Sequence, residues 1–273
     1  MGSDFLRYQP MRNIILSGLP DNEIQTLRPY LRRVRLVPGQ VLMEQGQIAE
    51  HVFFIEDGIV SLVLDPDVSR SHVQVAMIGR EGLVGAQAIL GADISNFTCA
   101  ITQIPGPALR LSVSDLRSLL EDCPELRRLC MADLDALMRQ TMQTAACNAR
   151  GTLVGRCVRW LLMAHDRIEG DELPITHEAL AGMLGVRRSG ITLVASGLMD
   201  AGLISVRRGR ITIQDRRGLE RAAGSLSWSV ATEPADSNLS DYPVREMDHV
   251  ADASLVRSHI PANDRASIPR EEA

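Results

Sequence analysis

The chain contains no lysine: all 29 of its basic residues are arginine. A P-loop phosphate site needs a lysine, as do pyridoxal and other Schiff-base enzymes, so those classes drop out. No apolar run approaches the roughly 18–20 residues that span a bilayer. The N-terminus, MGSDFLRYQP, lacks the charged-then-apolar layout of a secretory signal. Together these point to a cytoplasmic protein with no membrane partner. The five cysteines (Cys99, Cys123, Cys130, Cys147 and Cys157) include no CxxC pair. Their odd number argues against a disulfide framework, and they read as buried small apolar residues. Catalytic signatures are missing too: there is no GxSxG, no GxGxxG and no Cys/His cluster at metal spacing. HEALA at 177–181 is half of a zinc-protease HExxH, but Ala181 stands where the second histidine must be. No catalytic residue, metal or cofactor is expected.

What is present is a chain of 273 residues with 45% apolar content, enough for two domains. Its charge is unevenly divided. Residues 1–149 carry net −4, residues 150–223 net +4 and residues 224–273 net −5. A basic module between two acidic segments implies a polyanionic partner for the middle one.

The texture changes along the chain. Pro20-Asp21 opens a short amphipathic helix. From about 37 to 112 short apolar runs are punctuated by glycine, as in HVFFIEDGIVSLVL, where Asp57-Gly58 gives a hairpin signal. Such strands imply a small antiparallel sandwich or barrel over 14–117. Ser114-Asp115 caps a first helix and Pro124 starts a second. Along the second, Cys130, Leu134, Leu137, Thr141, Ala145 and Asn148 step close to a heptad, so residues 118–149 are expected to contain a pairing helix that makes a homodimer.

In residues 150–223 the pattern is helix, glycine turn, helix, β-hairpin. LVGRCVRWLLMAHDRI is amphipathic, and LPITHEALAGMLGV is a helix capped by Thr176 and ended by Gly185. In GVRRSGITLVASGL, the residues Ile191, Val194, Ala195 and Leu198 line one face. Its front end is poor by helix rules: Arg187 has no short side-chain oxygen to cap it, Gly190 weakens it, and two cations meet the positive end of the dipole. A winged helix-turn-helix accounts for this, since its second helix enters the major groove first turn foremost. Arg187, Arg188, Ser189 and Thr192 would then meet bases and phosphates, with Gly190 lowering the helix profile toward the DNA. Arg207, Arg208 and Arg210, around the turn Arg208-Gly209, would hold the backbone. The tail, 224–273, has four prolines and no apolar period, and is expected to be disordered. The fold class is thus α+β: an antiparallel β-roll, a long dimerisation helix, a winged helix-turn-helix and a tail.

The chain resembles the Crp/Fnr superfamily of bacterial transcription regulators over about 14–218. The resemblance rests on VPGQVLMEQGQIAEHVFFIEDGIVSLVL, the cassette GREGLVGAQAILG, the long helix, and ITHEALAGMLGVRRSGI followed by AGLI. It implies a jelly-roll domain of the cyclic-nucleotide-binding type. It also implies a homodimer on a near-palindromic double-stranded DNA site, with RNA polymerase as a further partner. Thr176, His177, Arg187, Arg188, Ser189 and Thr192 fall at the family's DNA-contacting positions, Arg188 at that of a guanine-reading arginine. Ser189 replaces a common glutamate, and Leu193 an arginine of the cyclic-AMP-responsive members.

The effector pocket implied by the resemblance would involve Gly82, Val84, Gly85, Ala86, Gln87, Asn96, Phe97 and Thr98. There Ala86 and Asn96 stand in place of the glutamate and arginine that hold a cyclic nucleotide, and Val84, Ala86, Ile89 and Phe97 would give an apolar lining. The resemblance therefore implies a sensor with another effector or none. An alternative reading is a non-catalytic nucleotide-binding-like module regulating a partner protein, against which the wing arginines count.

Overall fold

The computed structural model describes residues 11–64, 73–91 and 95–223; the expected tail, 224–273, lies outside them. Two short helices, α1 (Ile14–Ser17) and α2 (Asp21–Leu27), lead in. Buried Asn13 fastens α1: its Oδ1 accepts from the Leu16 N–H and its Nδ2 donates to the carbonyls of Ile55 and Gly82. Eight strands follow: β1 (Arg32–Leu36), β2 (Val41–Met43), β3 (His51–Ile55), β4 (Ile59–Leu64), β5 (Val73–Ile78), β6 (Leu83–Val84), β7 (Cys99–Ile104) and β8 (Gly106–Ser112). They form two antiparallel four-stranded sheets, ordered β1-β8-β3-β6 and β2-β7-β4-β5. Phe53, Ile55, Val60, Leu62, Ala76 and Val84, drawn from both sheets, close over a common core. The β-roll is therefore as expected.

One local signal reads differently in the structure. Asp57-Gly58 does not join two paired strands, because β3 lies in one sheet and β4 in the other. It is a corner. Gly58 takes φ +88°, and a Cβ there would lie 2.5 Å from the Ile104 carbonyl oxygen, so the crossing backbones leave room only for glycine.

Helix α3 (Val113–Asp122) is capped by Ser112 rather than by Ser114-Asp115: the Asp115 N–H donates to Ser112 Oγ at 3.0 Å. Helix α4 (Pro124–Arg150) is 27 residues long with Pro124 at its first position. Its start is satisfied from a distance, since the buried Glu23 carboxylate accepts from the N–H groups of Glu125 and Leu126 at 3.1 and 2.9 Å.

The faces of α4 correct the expected pairing seam. Cys130 is fully buried, clustering with α1–α3, Leu134 packs partly on that core, and Leu137 packs on the β-roll interior. These three therefore serve the chain's own core. Leu126, Cys130, Asp133, Leu137, Gln140 and Thr144 run in 3- and 4-residue steps along the covered side. Gln140 binds edge strand β5 twice, accepting from the Met77 N–H at 2.6 Å and donating to its carbonyl at 3.0 Å. The opposite side exposes a second stripe at the same spacing: Met131, Asp135, Met138, Met142, Ala145 and Ala149. Thr141 and Ala145, from the expected seam, are exposed.

Beyond α4 come α5 (Leu153–His165), β9 (Glu172–Leu173), α6 (His177–Leu184), α7 (Arg188–Asp200), β10 (Ile204–Arg207), β11 (Arg210–Ile213) and α8 (Arg216–Ala223). Sequence reasoning missed β9, which joins the hairpin in the order β10-β11-β9. It also missed α8, whose signal was Asp215, where the Gly218 N–H donates to Oδ1. This unit shares a core with the β-roll: Ile59, Val63, Met77 and Ile104 from the second sheet cluster with Trp160, Leu161, Met183 and Leu184. Trp160 Nε1 also donates to Gln74 Oε1 on β5 at 3.0 Å, and buried Arg167 meets Glu81 at 2.6 Å. Among the described residues no helix is long and apolar enough to cross a membrane.

Candidate nucleic-acid interface

Helix α6 begins where Thr176 Oγ1 accepts from the Ala179 N–H, and ends at Gly185, φ +63°, whose N–H caps the helix carbonyls. The left-handed residue turns the chain sharply enough to lay α7 across α6. Ile191, Val194, Ala195 and Leu198 bury one side of α7. The other side, Arg188, Ser189, Thr192, Leu193 and Ser196, is exposed as one strip. Ser196 was missed by sequence reasoning; its four-residue spacing from Thr192 was the available signal. Arg187 holds the N-cap position with extended backbone and no side-chain cap bond.

Gly190 has a different cause from the one expected. A Cβ there would lie 3.0 Å from Leu153 Cδ2, so the glycine lets α7 close onto α5 and is not a relief of the DNA-facing side. His177 and Thr192 are coupled: Nδ1 of His177 lies 3.2 Å from Thr192 Oγ1, whose own proton goes to the Arg188 carbonyl at 3.1 Å. Nδ1 must then be the donor, which fixes the ring across the two helices.

The wing follows from a two-residue turn in which Arg208 and Gly209 take φ +30° and +79°, with Arg207 opposite Arg210. All three wing arginines are exposed. Arg210 pairs with Glu172 on β9, and Arg188 lies 3.8 Å from the exposed Glu178. For Arg187, Arg207 and Arg208 no side-chain partner occurs among the described residues. Helix α6, helix α7 and the wing enclose a groove of about 390 Å³ lined by Thr176, His177, Glu178, Arg188 and Gly209. Cationic tips thus surround a concave face built on rigid helices, which suits a polyanion.

The expected effector residues do not converge on one lining. Val84 belongs to the core between the sheets, whereas Ala86 belongs to the core under the helices. Phe97, expected in the lining, is 74% exposed. Asn96 is buried, its backbone paired with Gly46 and Gln47 at 2.7 Å, and Gln87 and Thr98 are half-buried. Over Gly85, φ +92°, a Cβ would meet Met43 Cε at 2.3 Å, so that side chain fills the space beside the cassette. Gly82 closes the turn by donating to the Gly79 carbonyl at 3.1 Å. The neighbouring Leu83 N–H donates to Asp133 of α4 at 3.2 Å. Burial pushes the Asp133 carboxyl up to about 8, opposed by the Leu83 N–H, reinforced by Glu81 and opposed by Arg167.

Comparison with known proteins matches residues 33–123 to the cyclic nucleotide-binding domain and residues 155–222 to the Crp-like helix-turn-helix domain. The chain is similar to proteins called global nitrogen regulator from Nostoc and Synechocystis. Identity to the first is 25% over 185 residues, covering 64% of this chain and 82% of the relative. For the second it is 25% over 179 residues, covering 62% and 79%. Among solved structures, a CRP-family transcriptional regulator from Thermus thermophilus shares the fold at TM-score 0.58 and 21% identity, over 70% of this chain and 96% of that one. The c-di-GMP-responsive global regulator CLP of Xanthomonas campestris shares it at TM-score 0.57 and 20% identity, over 72% and 100%.

Proposed function

A chain that joins these two domains belongs to the Crp/Fnr superfamily of DNA-binding transcription regulators, and on that premise we propose that it reads a near-palindromic duplex as a homodimer. The observation that carries the reading is the exposed strip of α7 beside the exposed wing arginines Arg207 and Arg208. Arg188 would fork onto guanine O6 and N7, with Ser189 and Thr192 at adjoining bases or phosphates. Leu193, 65% exposed where the resemblance has an arginine, suits a thymine methyl better than any hydrogen-bonding edge. Arg187, Arg207, Arg208 and Arg210 would hold phosphates.

A second copy would cover the methionine stripe of α4, setting the two reading helices about 34 Å apart, one turn of duplex. In this reading the protein acts in the cytoplasm, engages RNA polymerase from its bound site, and performs no catalysis. The β-roll would bias DNA binding without a cyclic nucleotide, because neither Ala86 nor Asn96 can offer charge to one.

Selection of bound fragments from genomic DNA, followed by sequencing, tests the proposal. The expected result is one recurring inverted repeat for the wild type and a loosened one for Arg188→Ala. Fragments enriched without any shared motif would overturn it.

A further inference from the structure

Arg159 on α5 is only 7% exposed, yet little answers its charge. Its Nη1 lies 3.4 Å from Thr144 Oγ1, a marginal contact, and its Nε and Nη2 have no hydrogen-bond partner. No carboxylate pairs with it among the described residues; the titratable side chains acting on it are Cys147 and the like-charged Arg167. Arg167, 3% exposed, differs in having a counter-charge: it meets Glu81 at 2.6 Å and the Met163 carbonyl at 2.8 Å, and only its Nη2 lacks a partner. A buried guanidinium without a counter-charge is among the costliest groups to keep in a fold.

Arg159 lines a cavity of about 20 Å³ where β5, α4, α5 and α6 meet. Gln74, Thr144, Cys147, Asn148, Arg156 and Trp160 share the lining, which contains no aspartate or glutamate. Arg156 brings a second cation there, its Nε donating to Asn148 Oδ1 at 3.0 Å. Gln74 spends its Oε1 on Ser61 and Trp160, which leaves its amide nitrogen as a donor. The cavity holds about one water, the size of a single carboxylate or phosphate oxygen. Its rim at Cys147 and the exposed Asn148 is open, so an oxyanion would enter oxygen first, with Arg159 turning to meet it and the remainder staying outside.

We infer that this cavity is an anion site that takes the carboxylate or phosphate end of a small metabolite. Nε and Nη2, the two unanswered atoms, form the side-on fork of a guanidinium, which binds two oxygens of such a group in parallel. The site is separate from the β-roll cassette. It draws residues from the sensor sheet, the long helix and the DNA-binding unit, so an anion there strengthens the docking of one unit on the other. Only that last consequence rests on the DNA-binding reading.

The test uses the full chain in phosphate, acetate or chloride at matched ionic strength. Alkylation of Cys147 by iodoacetamide is followed by peptide mass spectrometry. Phosphate or acetate should slow it saturably, by about tenfold at ten times the half-saturating concentration, and chloride should not. Whichever oxyanion protects identifies the end group. Arg159→Met should keep its Tm in chloride and lose any rise in Tm with the oxyanion. Arg188→Ala should retain that rise, which separates this site from phosphate seated on the DNA-reading face. Equal Cys147 rates in all three salts would overturn the inference even if Arg159→Met failed to fold. So would a full oxyanion response in Arg159→Met.

Discussion

Single side chains in this protein divide into those that read, those that hold and those that stay uncharged. On the proposed reading Arg188 sits on the base-contacting helix and Arg208 on an exposed hairpin tip, so their losses should look different. Arg188→Ala should weaken the preferred site by about 1–3 kcal/mol and relax discrimination at one base pair. Arg208→Ala should weaken all duplexes alike and lower the salt slope by about one unit. Binding titrations on specific and scrambled duplexes across salt concentrations check both, and an unchanged sequence preference in Arg188→Ala would misplace the helix.

Asp133 illustrates the third kind. Its folded value of about 8 lies above the unfolded value of about 3.9. Between those limits the folded chain binds a proton that the unfolded chain has released, so this group's contribution falls as pH rises from about 4 to 8. Asp133→Asn should therefore lose less stability than the wild type between pH 5 and pH 8 in urea melts. Equal losses would mean that the carboxyl is ionised in the fold.

Among the elements, α4 shows how one helix serves two surfaces. Its covered stripe ends the exposure of edge strand β5 through Gln140, and its free stripe carries Met131, Met138 and Met142 at 47, 53 and 62% exposure. Methionines are adaptable fillers of a helix–helix seam. Met138→Glu should raise the dimer dissociation constant at least about 100-fold, or about 2.7 kcal/mol, without lowering the monomer's Tm. Leu134→Glu should instead lower Tm, because Leu134 packs on its own core. Sedimentation velocity paired with thermal melts separates the two, and an intact dimer in Met138→Glu would move the interface elsewhere.

For the whole molecule, the decisive feature is the core shared by the β-roll and the DNA-binding unit. The Arg167–Glu81 pair belongs to it, with the arginine side chain 2% exposed and the glutamate 19%. Removing one partner strands a buried charge, so Glu81→Gln should destabilise the protein by about 3–5 kcal/mol, seen as a lowered urea midpoint. Two units unfolding separately, with only one affected, would show that the pair does not couple them. The same compactness bears on the cassette. With Met43 lying over Gly85 and no arginine at position 96, calorimetry should detect no saturable micromolar binding of cyclic AMP or cyclic GMP.

Local order alone determined much of this protein. Thr176 and Gly185 bound α6, Pro124 starts α4, Arg208-Gly209 turns the wing, and the spacing of Ile191, Val194, Ala195 and Leu198 already separated the buried side of α7 from its exposed side. Each is a choice made within a few residues, by a cap, a φ angle or a period, so it is written in sequence. Tertiary structure decided the rest. Asp57-Gly58 looks like a hairpin from its neighbours and becomes a corner because β3 and β4 find partners in different sheets. Gly190 is small because of Leu153, some 37 residues away. On α4 the heptad spacing fits two stripes equally well, and which one is spent internally depends on where α1–α3 and β5 lie. A periodic pattern specifies that a face exists; only the packing of distant elements specifies what covers it.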